Sequence, residues 1–206
     1  MDPLDRHRPL SDLLREISDD TDPVVTVGDI VRRLGPRSFG ALLFVFSAPN
    51  WLPLPPGSST FLAAPLVLLA PQIALGVSRP WLPRFVDARR LEREHLAKAL
   101  RKLIPVLERV EMVSRPRLVF LFGPIGDRVI GVTVTLLALV LLLPIFLGNM
   151  GPAAAIAAFG LALVQRDGLL ALAGYAITAG STALLFVGWK VAVAAIGQVM
   201  HILERF

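Results

Sequence analysis

The chain has 206 residues, 54% of them hydrophobic and only 18% charged, with a formal net charge of +5 and no cysteine. Its mean hydropathy of +0.65 is too apolar for an ordinary soluble domain and marks an integral membrane protein. The missing cysteines exclude a disulfide framework, thiolate metal sites and a thiol nucleophile, and His7, His95 and His201 share no metal-ligand spacing.

Residues 1–36 read as cytoplasmic amphipathic helices. Met1-Asp2-Pro3-Leu4-Asp5 is polar and acidic with no apolar stretch beside it, so no signal peptide is expected and the N-terminus is placed in the cytoplasm. Leu10, Leu13, Leu14 and Ile17, then Val27, Ile30, Val31 and Leu34, recur at the spacing of one helix face. Thr26 is a good N-cap for the second helix, with Asp29 in its first turn, and residues 19–23 read as the turn between the two. A DNA-reading helix-turn-helix competes with membrane-surface packing. The second is preferred, because the helix runs directly into Arg37 and an uncharged window.

Three windows hold no Asp, Glu, Lys or Arg: 38–78, 129–165 and 168–189. A bilayer crossing needs about 20 apolar helical residues. The first two windows have room for two crossings each, but Pro and Gly split them, at Pro49-Asn50-Trp51-Leu52-Pro53-Leu54-Pro55-Pro56-Gly57 and at Pro144-Ile145-Phe146-Leu147-Gly148-Asn149-Met150-Gly151-Pro152. Residues 37–78 and 126–165 therefore read as two helical hairpins. Their arms at 38–48, 61–77 and 152–164 are short of full span, which favours broken or re-entrant helices buried among other helices.

Between the hairpins, residues 79–125 form a basic cytoplasmic or interfacial segment; 84–117 alone hold ten basic and five acidic side chains. Leu96, Leu100, Leu103 and Leu107 make one stripe of a helix over 91–110, bent at Pro105, which either lies among headgroups or packs on its own protein. Nucleic acid is not expected as a partner, because the basic stretch lacks interleaved aromatics. The positive-inside rule places Arg32, Arg33, Arg37, this block and Arg128 on the cytoplasmic face. In Gln165-Arg166-Asp167-Gly168 the charge pair is either buried below the headgroups or a turn in which Asp167 caps the next helix; the turn is preferred. Residues 166–206 supply a C-terminal transmembrane segment and tail.

The second hairpin repeats the first at an offset of 91: Gly35 falls on Gly126, Arg37 on Arg128, Gly40 on Gly131, Pro53 on Pro144 and Gly57 on Gly148. After each break come N-cap types, Ser58, Ser59 and Thr60 in one copy and Asn149 in the other. A broken helix carries free N–H groups into the membrane, where they can hold an anion. The candidate substrate-binding set is thus Arg37, Asn50, Gly57, Ser58, Ser59, Arg128, Gly148, Asn149, Arg166 and Asp167. The competing reading has the two arginines snorkelling to headgroups and the polar residues acting only as caps. No paired intramembrane carboxylates, His dyad, G-x-S-x-G or Walker loop is present, so no catalysis and no cofactor or metal is expected.

Leu10-Ser11-Asp12-Leu13-Leu14, Phe39-Gly40, the Pro49 to Gly57 stretch, Pro80-Trp81-Leu82-Pro83, Gly148-Asn149 and Arg166-Asp167-Gly168-Leu169-Leu170, in this order, resemble the bacterial exopolysaccharide-synthesis ExoD family. The resemblance implies a multi-pass inner-membrane protein connected with exopolysaccharide production and brings no catalytic residues with it. Two functions fit: a carrier binding an anionic lipid or lipid-linked saccharide between two parallel hairpins, or an accessory subunit of a polysaccharide synthase. The small residues Ala153, Ala154, Ala155, Ala157, Ala158 and Gly160 suit close helix packing and a homodimer.

Overall fold

The computed structural model describes residues 10–19, 24–51, 58–88, 90–92, 101, 104–105, 107–112, 114, 117–143 and 148–203. Helices α1 (Leu10–Asp19) and α2 (Val27–Leu34) form where the apolar spacing predicts them. Thr26 closes a capping box on α2. Its hydroxyl accepts from the Asp29 N–H at 3.1 Å, and the Asp29 carboxylate accepts from the Thr26 N–H at 3.1 Å and from Arg32 at 2.8 Å. The hydrogen bond from the Thr26 hydroxyl, followed by that from Arg32, holds the Asp29 carboxyl down to about 2.

A depressed carboxyl pKa stabilises the fold above the unfolded-chain value of about 3.9, and the stabilisation disappears as the pH falls through the folded value. Asp29→Asn is therefore expected to melt below the wild type at neutral pH, with the gap closing between about pH 4 and pH 2. Paired thermal melts across that window check this; a gap that persists at pH 2 contradicts it.

Val24–Thr26 (β1) pairs antiparallel with Arg90–Glu92 (β2), Val25 opposite Leu91. The helix expected from Leu91 onward starts later, because 90–92 spend their backbone groups on this ribbon. A four-residue helix, α5 (Arg84–Asp87), precedes it, and Arg32 of α2 reaches Asp87 at 3.8 Å. Of the predicted leucine stripe, Leu96, Leu100 and Leu103 lie outside the described residues; Leu107 is buried, and with Ile104 it joins Leu14, Leu34, Ala41, Phe44, Leu161 and Val164 in one apolar cluster. That side of the segment packs on its own protein.

The apolar body consists of α3 (Ser38–Ser47), continued as a 3-10 turn over Ala48–Trp51, α4 (Ser58–Ala74), α6 (Pro124–Leu142), α7 (Met150–Gln165) and α8 (Gly168–Leu203). Chain breaks fall where Pro and Gly predicted them. Pro124 sits in the first turn of α6, where its missing N–H costs nothing. Pro65 and Pro71 lie inside α4 and release the carbonyls of Phe61 and Val67 from the helical ladder.

The most extensive contacts pair α4 with α6, followed equally by α3 with α7 and α7 with α8. Glycine permits the first two of these approaches. A Cβ on Gly40 would stand 2.5 Å from the Gly160 carbonyl oxygen and 3.0 Å from the Val164 nitrogen; one on Gly131 would stand 2.3 Å from the Ala74 nitrogen and 2.8 Å from the Ile73 carbonyl carbon. Gly40 and Gly131 are 91 residues apart, and so are their partners Ile73 and Val164. The core between the helices is Leu43, Leu66, Leu69, Ile130, Val134, Leu141, Ile156 and Phe159, each at most 1% exposed.

Among the described residues two helices are long and apolar enough to cross a membrane, Pro124–Leu142 and the Gly168–Lys190 part of α8, and the latter is mostly exposed. Beyond Lys190 the backbone neither turns back nor breaks. α8 runs 36 residues, about 54 Å at 1.5 Å per residue.

Candidate functional site

The described candidate residues fall into two groups at opposite ends of the bundle. At the basal end α3 and α6 begin and α4 and α7 finish; Arg37, Arg128, Arg166 and Asp167 lie there. At the tip end α3 and α6 finish and α4 and α7 begin, bringing Asn50, Ser58, Ser59, Gly148 and Asn149. Gly57 lies outside the described residues. α3 has 10 residues and its 3-10 continuation four, which separates the ends by about 23 Å. No single small ligand touches both groups.

At the tip, the 3-10 segment bearing Asn50 packs against α7, whose N-cap is Asn149. The antiparallel contacts of Gly40 with Val164 and of Gly160 with Phe44 put the end of α3 beside the start of α7. Both asparagines are buried, at 2% and 6% exposure. Asn50 Nδ2 donates to the Phe46 carbonyl and Asn149 Nδ2 to the Leu143 carbonyl, each at 3.1 Å. Those bonds fix which amide atom is oxygen, and neither Oδ1 has a partner among the described residues. An unmet buried acceptor costs about 1–3 kcal/mol. Asn149 does not cap α7 through its side chain, contrary to expectation, because its amide is turned to Leu143. Ser58 and Ser59 open α4 as predicted.

At the base, a carboxylate that the charge map did not single out ties four segments together. Glu111 accepts from the Ser11 N–H at 3.2 Å, from the Ser11 hydroxyl, and from Gln165 Nε2 at 3.2 Å, and it attracts the half-buried Arg37 electrostatically. Arg128 follows a different course from its sequence counterpart. Its guanidinium lies over Gly76, 3.1 Å from where a Cβ would stand, and Gly76 holds φ +77° to end α4.

Arg166 ends α7 in the left-handed region at φ 52°. It bonds Asp127 at 3.3 Å and stands 5.7 Å over the Phe122 ring. Asp167 is 3% exposed; it accepts from the Leu169 N–H at 2.9 Å, as a cap should, and from the Ser114 hydroxyl at 2.9 Å. Gly168 permits a close approach: a Cβ would stand 2.5 Å from that of Leu118. Periodicity could not reveal Glu111, Ser114 or Asp127, since their partners lie 39 to 100 residues away. Among the described residues no group of His, Asp and Glu is placed to hold a metal.

A family model described as "Exopolysaccharide synthesis, ExoD" matches residues 10–187. The chain is similar to Protein ExoD of Rhizobium meliloti, 31% identical over 184 residues, which cover 86% of this chain and 76% of that protein. It is also similar to an uncharacterized protein of Synechocystis, 29% identical over 158 residues, 76% of this chain and 74% of the relative. No solved structure matches.

Proposed function

The chain belongs to the ExoD family, and from that membership we propose that it serves exopolysaccharide synthesis as a bacterial inner-membrane protein that admits a lipid-linked saccharide or anionic lipid between two repeated hairpins. In this reading the hairpins are copies related by an axis along the membrane normal, with the basal end cytoplasmic. The matching Gly40–Val164 and Gly131–Ile73 approaches support the duplication. The arms α4 and α7, of 17 and 16 residues, reach about 24–26 Å. That is short of the roughly 30 Å hydrocarbon core, so the tips re-enter rather than span. The protein handles its ligand without chemistry, and it works as a homodimer.

The observation that carries the reading is the pair of buried amide oxygens, Asn50 Oδ1 and Asn149 Oδ1, for which no described residue supplies a donor, at the tip of an otherwise apolar bundle. Saccharide hydroxyls are donors of the right kind. Replacing both asparagines by leucine removes two unmet acceptors together with two weak bonds, so stability is expected to change by no more than about 1 kcal/mol, while polysaccharide output is lost. Melting of purified protein and output in complemented cells check this. Unchanged output from a normally expressed double variant contradicts it.

The observation favouring an accessory subunit is the charged layer over the base, where Asp12, Arg15 and Glu16 face outward on α1 and Arg15 pairs with Glu108. Output that survives the asparagine changes but fails on reversing the charges of Asp12 and Glu16 selects that reading.

A further inference from the structure

A cavity of about 330 Å³ opens at the basal end, walled by Arg109, Arg117, Ser114, Asp167, Leu169 and Leu170. Both arginines are exposed, and neither has a carboxylate partner among the described residues. The one acidic wall residue, Asp167, is buried with its oxygens engaged by Ser114 and the Leu169 N–H. The two guanidiniums outnumber its single negative charge in the described wall. The remaining wall is apolar and continues outward: Leu169 and Leu172, one helical turn apart on α8, are 46% and 47% exposed.

We propose that this cavity holds the phosphate of an anionic lipid, gripped by Arg109 and Arg117, with an acyl chain laid along Leu169 and Leu172. Guanidinium forks match phosphate oxygens in geometry and charge. Two of them beside an exposed apolar helix face suit a ligand that is anionic at one end and apolar at the other. A soluble phosphate would use the arginines but leave the leucines uncovered. The inference rests on the membrane placement in the reading above and adds a separate site for an anionic lipid; its residues lie at the opposite end from the asparagines.

The test is native mass spectrometry of the full chain in detergent, with phosphatidylglycerol, phosphatidylcholine or inorganic phosphate added separately. Wild type is expected to retain phosphatidylglycerol in preference to phosphatidylcholine and to retain no inorganic phosphate. Arg109→Gln with Arg117→Gln should weaken phosphatidylglycerol retention by about tenfold or more. Because both side chains are exposed, circular dichroism should show that this variant folds. Gly180→Ala, where no described residue stands within 4 Å of the added Cβ, should bind as wild type does, and the polysaccharide output of Asn50→Leu with Asn149→Leu is scored separately, which separates failure here from failure of the tip site. Equal retention of the two lipids, or undiminished retention by the double arginine variant, overturns the proposal. Binding of inorganic phosphate without lipid selectivity overturns the lipid assignment.

Discussion

Gly131→Val is expected to stop the chain from reaching a monodisperse folded state, and Gly40→Val to do the same. A Cβ at position 131 would come within 2.3 Å of the Ala74 nitrogen and 2.8 Å of the Ala74 Cα; at position 40 it would come within 2.5 Å of the Gly160 carbonyl oxygen. These are backbone atoms of a packed helix, so no side chain can swing aside. The helices must part. Overpacking a core by a methylene or two costs about 1–3 kcal/mol, and forcing two helices apart along the pairs that dominate the bundle costs more, a large share of a total stability of about 5–15 kcal/mol. Nothing stands within 4 Å of a Cβ at Gly180 or Gly188, so alanine there should be tolerated and should add up to about 1 kcal/mol of helix propensity. Size-exclusion profiles and melts of the four variants check this; a well-folded Gly131→Val contradicts the α4–α6 packing.

Phe159→Ala carries the other large effect. Phe159 is fully buried, meets the Tyr175 ring edge-on at 4.8 Å between centroids, and lies where a Cβ on Gly174 would approach its ring to 2.9 Å. With the close approach of Gly151 to Ser181 it seats α8 on α7. Removing a buried phenyl costs about 3–5 kcal/mol. If lipid surrounds the bundle, the transfer part of that cost shrinks and the lost dispersion contacts remain, so about 3 kcal/mol is expected. The melting temperature should fall and α8 should become sensitive to protease before the rest of the bundle. A melt within about 0.5 kcal/mol of wild type would mean that α8 is held elsewhere.

Local features were the legible ones. The apolar spacing places α1 and α2, Thr26 and Asp29 close their capping box, Pro and Gly mark both breaks, and Asp167 caps Leu169, because each is decided within one or two turns of chain. Features made by distant segments were not legible. The charge block at 84–117 gives no hint that Glu111 belongs to Ser11 and Gln165, or that 90–92 pairs with 24–26. Spacing equated Arg37 with Arg128, yet one faces Glu111 and the other lies over a glycine. The close approaches at Gly40 and Gly131 match at the same offset, while the partners of the two arginines differ. The same limit hid the division of the candidate site, for a sequence window cannot say that two of its residues face opposite ends of one bundle.

In the proposed arrangement the polar tips of the two hairpins are reachable from the side of the membrane opposite the base. A chain without cysteine allows it to be tested directly. Arg128→Cys, Ser58→Cys and Asn149→Cys, each made singly, are exposed to a membrane-impermeant maleimide on either face of oriented vesicles. Arg128→Cys is expected to label from the cytoplasmic face alone, whereas Ser58→Cys and Asn149→Cys label from the opposite face alone and more slowly. Tip cysteines that stay unreactive from both faces in folded protein, or that react from the cytoplasmic face, would contradict it.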